Sequence, residues 1–290
     1  MTPAPLEAIA PDDRLRGILL ILATMLCFSS SDAMSKILGA TVPPVEIAWI
    51  RYVVFVVMTV SMQRVAKAGL RVRAPGLQVV RGLMLVISSV SFMAAVRTLP
   101  LAEAASIGFV SPALITLLSV PLLGEVVTAR RWAAVALGLI GVLIVVRPGS
   151  AAFQPAALFS LASAASWAVC MIITRKISGA HAATTLVWSS VTGLVVLTVL
   201  LPFDHVMPSW FELGIGLLLG LVASCGQALL VLAYRVAPAS LLAPFSYTQM
   251  LWAVMYGYLL FDAWPDITTV LGAAVIAISG VITVRSGRTR

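Results

Sequence analysis

The feature that most limits this chain is a succession of apolar runs, each close to bilayer length and separated by short polar breaks. The first follows Arg14 and Arg16 and reaches Leu38. The next nine are expected at Val45–Gln63, Gln78–Val96, Leu101–Leu123, Trp132–Val146, Pro155–Thr174, Thr184–Leu201, Glu212–Ala233, Ala239–Phe261 and Ile267–Val284. About 20 apolar residues in a helix cross the hydrocarbon. In lipid the backbone must satisfy its own hydrogen bonds, so runs of this length are helices. Only 10% of the 290 residues are charged, against about a quarter in a soluble domain. The fold expected is an all-α polytopic membrane protein with ten transmembrane helices.

Lysine and arginine set the orientation. With the N-terminus inside, ten spans return the C-terminus inside. All but four of the 19 basic residues then fall on the cytoplasmic side; Lys36, Arg51, Arg97 and Arg147 lie in or near the outer half. Basic loops stay cytoplasmic, so the net charge of +8 reflects topology and does not suggest nucleic acid. The location expected is a bacterial-type inner membrane with both termini cytoplasmic. The first run could imitate a signal peptide, but it lacks a small-residue cleavage site and reads as a retained span.

An internal repeat runs through the chain. A shift of 139 places Phe28 on Trp167, Lys36 on Arg175 and Trp49 on Trp188. A shift of 138 places Arg97-Thr98-Leu99-Pro100 on Arg235-Val236-Ala237-Pro238. Leu122-Leu123-Gly124-Glu125 falls near Leu259-Leu260-Phe261-Asp262, and Gly141-Val142 near Gly280-Val281. Each copy holds five spans, and an odd number forces the copies into opposite orientations. Inverted repeats of this kind place a substrate site at their interface near the midplane. The units expected are a disordered cytoplasmic tail at 1–13, a first repeat at 14–149 and a second at 150–290.

Charges inside apolar helices are costly, and they mark interior pathways or buried pairs. The first half carries Asp32, Lys36, Glu46, Arg51, Arg97 and Glu103 in its outer third; the second-half counterparts of Asp32, Glu46, Arg51 and Glu103 are Met171, Thr185, Ser190 and Leu241. The scaffold therefore does not itself require these charges. Lys36, Glu46 and Arg97 read as structural ion pairs or snorkelling groups. For Asp32 and Arg51 a substrate path and a structural pair stand as equal alternatives, with Glu103 a further candidate. Trp167, Tyr247 and Gln249 are candidate ligand contacts, although packing is the default for any aromatic at helical spacing. Trp49 and Trp188 suit the interfacial belt. Pro112 and Pro244 interrupt spans four and nine and free backbone groups that Ser111, Ser246, Thr248 or Gln249 could satisfy. The small-residue spacings Gly216–Gly220 and Ala133–Leu137–Gly141 read as helix contacts.

Enzyme chemistry has little to stand on. His181 and His205 lack partners at metal-ligand spacing. No glycine-rich phosphate loop, nucleophile elbow or zinc motif occurs. Cys27, Cys170 and Cys225 suit small buried thiols. No cofactor, metal or catalytic residue is expected. A membrane-embedded lipid-modifying enzyme and a scaffold without flux are the non-transport alternatives.

Phe28, Asp32 and Lys36, the Trp49-Ile50-Arg51-Tyr52 run, Leu99-Pro100-Leu101-Ala102-Glu103-Ala104, and Leu122-Leu123-Gly124-Glu125 followed by Gly141-Val142 resemble the drug/metabolite transporter superfamily, EamA type, over essentially the whole chain. The resemblance implies ten helices in two inverted halves, a central cavity and alternating-access transport of small metabolites. Asp32–Lys36, Glu46–Arg51, Pro244-Phe245 and Asp262 with Pro265-Asp266 are most similar to the branch that takes up S-adenosylmethionine. Related branches carry riboflavin or export amino acids and drugs. The partners implied are a small-molecule substrate and the bilayer; proton or counter-substrate coupling and a homodimer are left open.

Overall fold

A computed structural model of the protein describes residues 11–67, 69–124, 128–147, 154–177, 181–203, 205–236, 242 and 245–285. These are helical with short connections, and no strand occurs among them. The helices are α1 (Pro11–Leu38), α2 (Pro44–Val65), α3 (Pro75–Thr98), α4 (Leu101–Gly108), α5 (Ser111–Leu123), α6 (Ala129–Val146), α7 (Ala157–Lys176), α8 (Ala182–Leu200), α9 (Trp210–Val236), α10 (Thr248–Phe261) and α11 (Ile267–Arg285). Seven segments are long and apolar enough to cross a membrane, and shorter apolar helices accompany them. Proline at the first turn of α2 and α3 starts each helix where its missing N–H costs nothing.

The helices begin and end within a few residues of the apolar runs. Helix α1 starts at Pro11, so residues 11–13, expected in the tail, are helical; residues 1–10 lie outside the described residues. The fourth run is one span in two pieces, because the Pro112 ring cannot coexist with the helical carbonyl four residues back, at Gly108. Helix α4 stops at Gly108 and α5 starts at Ser111. The ninth run is described from Phe245 onward and at Leu242; Pro244 and the rest of its start lie outside the described residues.

The two halves are related by a pseudo-two-fold axis. Helix α1 packs mainly on α9, and its repeat counterpart, α7 on α3, forms the matching interface; α2 pairs with α8 and α6 with α11. The last two pairs join equivalent spans, so their direction decides the repeat's orientation. Along α2 and α8, Trp49 meets Thr198, Tyr52 meets Gly193 and Thr59 meets Ser190. Along α6 and α11, Gly138 meets Ser279, Gly141 meets Ile276 and Arg147 meets Asp266. Both pairs run antiparallel, so the halves are inverted. The register also holds at a helix end: Gly124, with φ of 68°, closes α5, and Asp262, 138 residues later, closes α10 at φ of 48°.

Small residues permit the close crossings. A β-carbon on Gly141 would lie 2.9 Å from the Gly272 carbonyl oxygen, and one on Gly220 would lie 2.9 Å from Val54. The expected contact role of both glycines is thereby met. Lipid-facing positions are apolar: Val191, Val195 and Val199 line an exposed face of α8.

The α6–α11 pair is tied at its end by Asp266. Its Oδ1 accepts from the Thr269 backbone N–H at 2.8 Å, and its Oδ2 accepts from Thr268 and Arg147. Burial opposes the charge, but the bonds from Thr269, Arg147 and Thr268 outweigh it and hold the carboxyl far below the usual carboxylate range. Asp266→Ala is expected to cost about 1–2 kcal/mol, the usual worth of such a cap, read as a lower melting temperature in detergent. Because the folded-state pKa is depressed, this contribution is present above the ordinary carboxylate pKa of about 4 and is lost as pH falls below it. The gap between wild type and variant should therefore close in acid.

Candidate functional site

Midway along the helices lies a cavity of about 460 Å³, within the range of small-molecule sites. Its walls come from α1, α2, α3, α4, α5, α7 and α9, from Ser246 and Tyr247, and from Gln249 of α10; no described residue of α6, α8 or α11 is among them. The lining obeys the repeat. At a shift of 139 Met25 pairs with Ala164 and Phe28 with Trp167. At 138, Leu85 pairs with Ala223, Ser89 with Gln227, Phe92 with Leu230, Phe109 with Tyr247 and Ser111 with Gln249. Phe109 and Tyr247 touch across the axis, ring centroids 5.1 Å apart. The break at Gly108–Val110 supports this contact, since it leaves Phe109 between two half-helices.

The charges break that symmetry. Asp32 and Arg51 both line the cavity, whereas their counterparts Met171 and Ser190 do not. Ser190 is fully buried and bonded to Thr59 at 2.7 Å. Helix α2 supplies Arg51, Tyr52 and Phe55 to the cavity, while its counterpart α8 turns elsewhere. Asp32 accepts a hydrogen bond from Gln249 Nε2 at 3.1 Å, a link between the halves. Arg51 lies within electrostatic reach of Asp32, yet among the described residues the two form no ion pair within 4.0 Å. The acid and the guanidinium share one chamber without neutralising each other by contact.

Of the residues expected at a site, Asp32, Arg51, Trp167, Tyr247 and Gln249 are brought together. Glu103 is not. It lies outside the cavity lining, within electrostatic reach of Arg147 and Asp266. Its neighbour two residues on, Ala105, faces the cavity; at about 100° per residue the two point to opposite sides of α4. Lys36 is also placed differently from an ion pair or a snorkelling side chain. Its ammonium donates to the Val96 and Leu99 carbonyls at 2.8 and 2.6 Å and so holds the end of α3. Glu46 is 3% exposed, which excludes snorkelling; it accepts from the Val206 N–H at 3.0 Å and meets His205 at 3.1 Å. Arg97 is exposed at the end of α3. Trp49 and Trp188 bond outward-lying partners, Thr198 and the Leu70 carbonyl, and neither lines the cavity.

Sequence reasoning missed Phe28, Phe92 and Phe109 as wall residues, and Ser31, Ser224 and Gln227 as polar ones. The repeat held a usable signal: Trp167 and Tyr247, shifted back by one register, identify Phe28 and Phe109.

The EamA-like transporter family matches residues 15–147 and again 154–285, one match on each inverted half. The chain belongs to that family. As a member it is a multi-pass membrane transporter of small molecules and not an enzyme. It is 29% identical over 265 residues to an S-adenosylmethionine uptake transporter of Rickettsia prowazekii (strain Madrid E), covering 90% of each chain. It is 26% identical to the pseudopaline exporter CntI of Pseudomonas aeruginosa (strain UCBPP-PA14), covering 91% of this chain and 94% of the exporter. It is 28% identical to a riboflavin transporter of Rhizobium johnstonii (strain DSM 114642 / LMG 32736 / 3841), covering 96% and 94%. A solved crystal structure at 20% identity superposes with a TM-score of 0.65 over 94% of this chain and 99% of that one, a likeness of fold.

The asymmetric lining can be mapped chemically. In a background lacking the native cysteines, Gln227→Cys and Ser89→Cys should react with a small hydrophilic thiol reagent. Ser190→Cys, the counterpart of Arg51, should stay protected. Equal labelling at all three positions would contradict the cavity as described.

Proposed function

We propose that this EamA-family protein is a secondary transporter that carries a small polar organic metabolite, amino-acid-like or S-adenosylmethionine-like, across the inner membrane by alternating access. The observation that carries this reading is the enclosure of Asp32 and Arg51 in one mid-helix cavity without a contact pair. A half-buried acid and base held apart inside the bundle suit a cargo that itself bears both signs, with Asp32 facing its cation and Arg51 its carboxylate. Charge burial is costly in a bilayer, and a zwitterion would offset it on both sides. The S-adenosylmethionine uptake relatives favour a cationic amino acid.

The Asp32–Gln249 bond supports a role in the transport cycle, since it joins span one of one half to span nine of the other. Rocking one half against the other would expose the cavity to each side in turn. The charge distribution supports a cytoplasmic N-terminus. Arg16, Arg64, Arg71, Arg73, Arg175 and Lys176 lie at the end where α1 starts, and Glu212, Asp262 and Asp266 at the opposite end. The working division is repeats at 14–149 and 150–290 after a short leading segment, of which residues 11–13 already belong to α1. Coupling to protons through Asp32 would follow if uptake responds to a pH gradient.

A flavin cargo is the second reading. It is favoured by the aromatic content of the walls, where Phe28, Phe92, Phe109, Trp167 and Tyr247 offer stacking faces, and by the riboflavin transporters among the relatives.

Uptake of labelled S-adenosylmethionine into proteoliposomes tests the first reading. Asp32→Asn and Arg51→Gln should each lower uptake by about 100-fold, as expected when one partner of a desolvated charge contact is lost, with melting temperatures unchanged. If both variants transport normally, or melt lower while transporting, the two charges are structural and the reading fails.

A further inference from the structure

Several serines and threonines in these helices bond the carbonyl four residues back. Ser30 Oγ donates to Leu26 O at 2.8 Å, Ser35 to Ser31 O at 2.9 Å, Ser106 to Ala102 O at 2.6 Å and Ser189 to Thr185 O at 2.9 Å. This is the ordinary refuge of a hydroxyl in a membrane helix. Ser31 and Ser224 do not take it. Each is at least nine-tenths buried, at 2% and 4% exposure, and the Oγ of each lacks a hydrogen-bond partner among the described residues. Both line the cavity. Ser29 and Ser160 share the lack of a partner but lie outside the cavity lining, so it is the combination that singles out Ser31 and Ser224.

The two belong to one wall. Helices α1 and α9 run antiparallel, with Phe28 against Gly226. Three residues further along α1 and two residues back along α9, Ser31 and Ser224 come to nearly the same level. Asp32 adjoins Ser31, and Gln227 follows Ser224 by one turn on the same face. Arg51 approaches Gly220, one turn before Ser224. The matching wall across the pseudo-two-fold axis, between α3 and α7, also carries hydroxyls. There Ser88 and Ser163 bond each other at 3.1 Å. Equivalent walls thus differ: one has spent its hydroxyls internally, and the other keeps them uncommitted beside the charges. Leaving a buried hydroxyl unmet costs roughly as much as a hydrogen bond is worth, so such groups need a partner in the working state.

We propose that Ser31 and Ser224, with Gln227, form a neutral hydrogen-bonding subsite that receives a vicinal-hydroxyl portion of the cargo, such as a sugar or sugar-alcohol, next to the charged contacts at Asp32 and Arg51. The cargo class is then a glycosylated or polyol-bearing heterocycle whose flat ring lies against the Phe28, Phe109 and Trp167 faces, and free amino acids fill the chamber incompletely. The inference rests on the cavity being the cargo site, as proposed above.

Matched ligand pairs test it. Affinity for the full-length protein in detergent is measured by titration calorimetry for S-adenosylmethionine against its 2′,3′-dideoxy analogue, for riboflavin against lumiflavin, and for methionine. Wild type should prefer the hydroxylated member of at least one pair by tenfold or more. Ser31→Ala and Ser224→Ala should each weaken that member by about fivefold, the worth of one neutral hydrogen bond, and leave the stripped member unchanged. Ser160→Ala, whose hydroxyl is likewise unpartnered but lies outside the cavity lining, should keep the preference. Removing two unpartnered hydroxyls should not lower the melting temperature of the ligand-free protein, so a folding defect would itself count against the assignment. The subsite is overturned if wild type prefers neither hydroxylated ligand, or if the alanine variants retain the preference or weaken both members alike. Methionine binding that Arg51→Gln abolishes and the serine variants leave intact, with no hydroxyl preference, would sink the subsite and spare the amino-acid-like cargo. A riboflavin preference erased by the serine variants, with no binding of S-adenosylmethionine or methionine, would sustain the subsite and sink that cargo.

Discussion

A carboxylate and a guanidinium set well inside apolar helices must be kept out of hydrocarbon, and the rest of the architecture answers that requirement. Asp32 begins the last two turns of α1, and Arg51 lies in the third turn of α2. Neither can be solvated by lipid at an acceptable cost. The structure gives both the same chamber, closed by two half-bundles that meet across a pseudo-two-fold axis. The glycines are what allow it: Gly193 takes the Tyr52 ring, Gly220 takes Val54, and Gly226 takes Phe28. Larger residues there would push α2 and α9 outward and open the charged chamber to lipid.

Symmetry builds the chamber, and departure from symmetry gives it a chemical character. The paired wall residues, Phe28 with Trp167 and Phe109 with Tyr247, make an aromatic enclosure that either half could have supplied. Charge enters only through α1 and α2. The counterpart of α2 lies outside the lining, so the half that carries the charges is also the half whose second helix reaches the centre. A device of this kind lets a duplicated scaffold keep the mechanics of two equivalent halves while specialising the chemistry of one.

The remaining ionisable groups serve the ends of the bundle. Lys36 holds the last carbonyls of α3, Glu46 anchors the residues before α9, and Asp266 caps α11 while meeting Arg147. These are contacts between elements or between halves at one end, and rocking of the halves must strain or exchange some of them. Arg81 plays the comparable part at the other end, donating to Thr174 and Ser189 of the second half.

The residue pattern alone determined the number of spans, their approximate limits and the repeat register, because each depends on length and hydropathy along one dimension. Inversion followed from counting five spans per half. It also identified Asp32 and Arg51 as the charges worth following, because their depth in apolar runs is a matter of counting residues. Only the tertiary structure decided which way each side chain faces. Glu103 and Ala105 are two residues apart in one apolar run, yet the helical turn between them sends one to the Arg147–Asp266 corner and the other to the cavity. Ser31 and Ser35 look equivalent on paper, one turn apart on α1, but Ser35 bonds the Ser31 carbonyl, while Ser31 lines the chamber and its buried hydroxyl has no partner among the described residues. Azimuth and partnership are set by how neighbouring helices cross, and those crossings join residues more than a hundred positions apart in the chain.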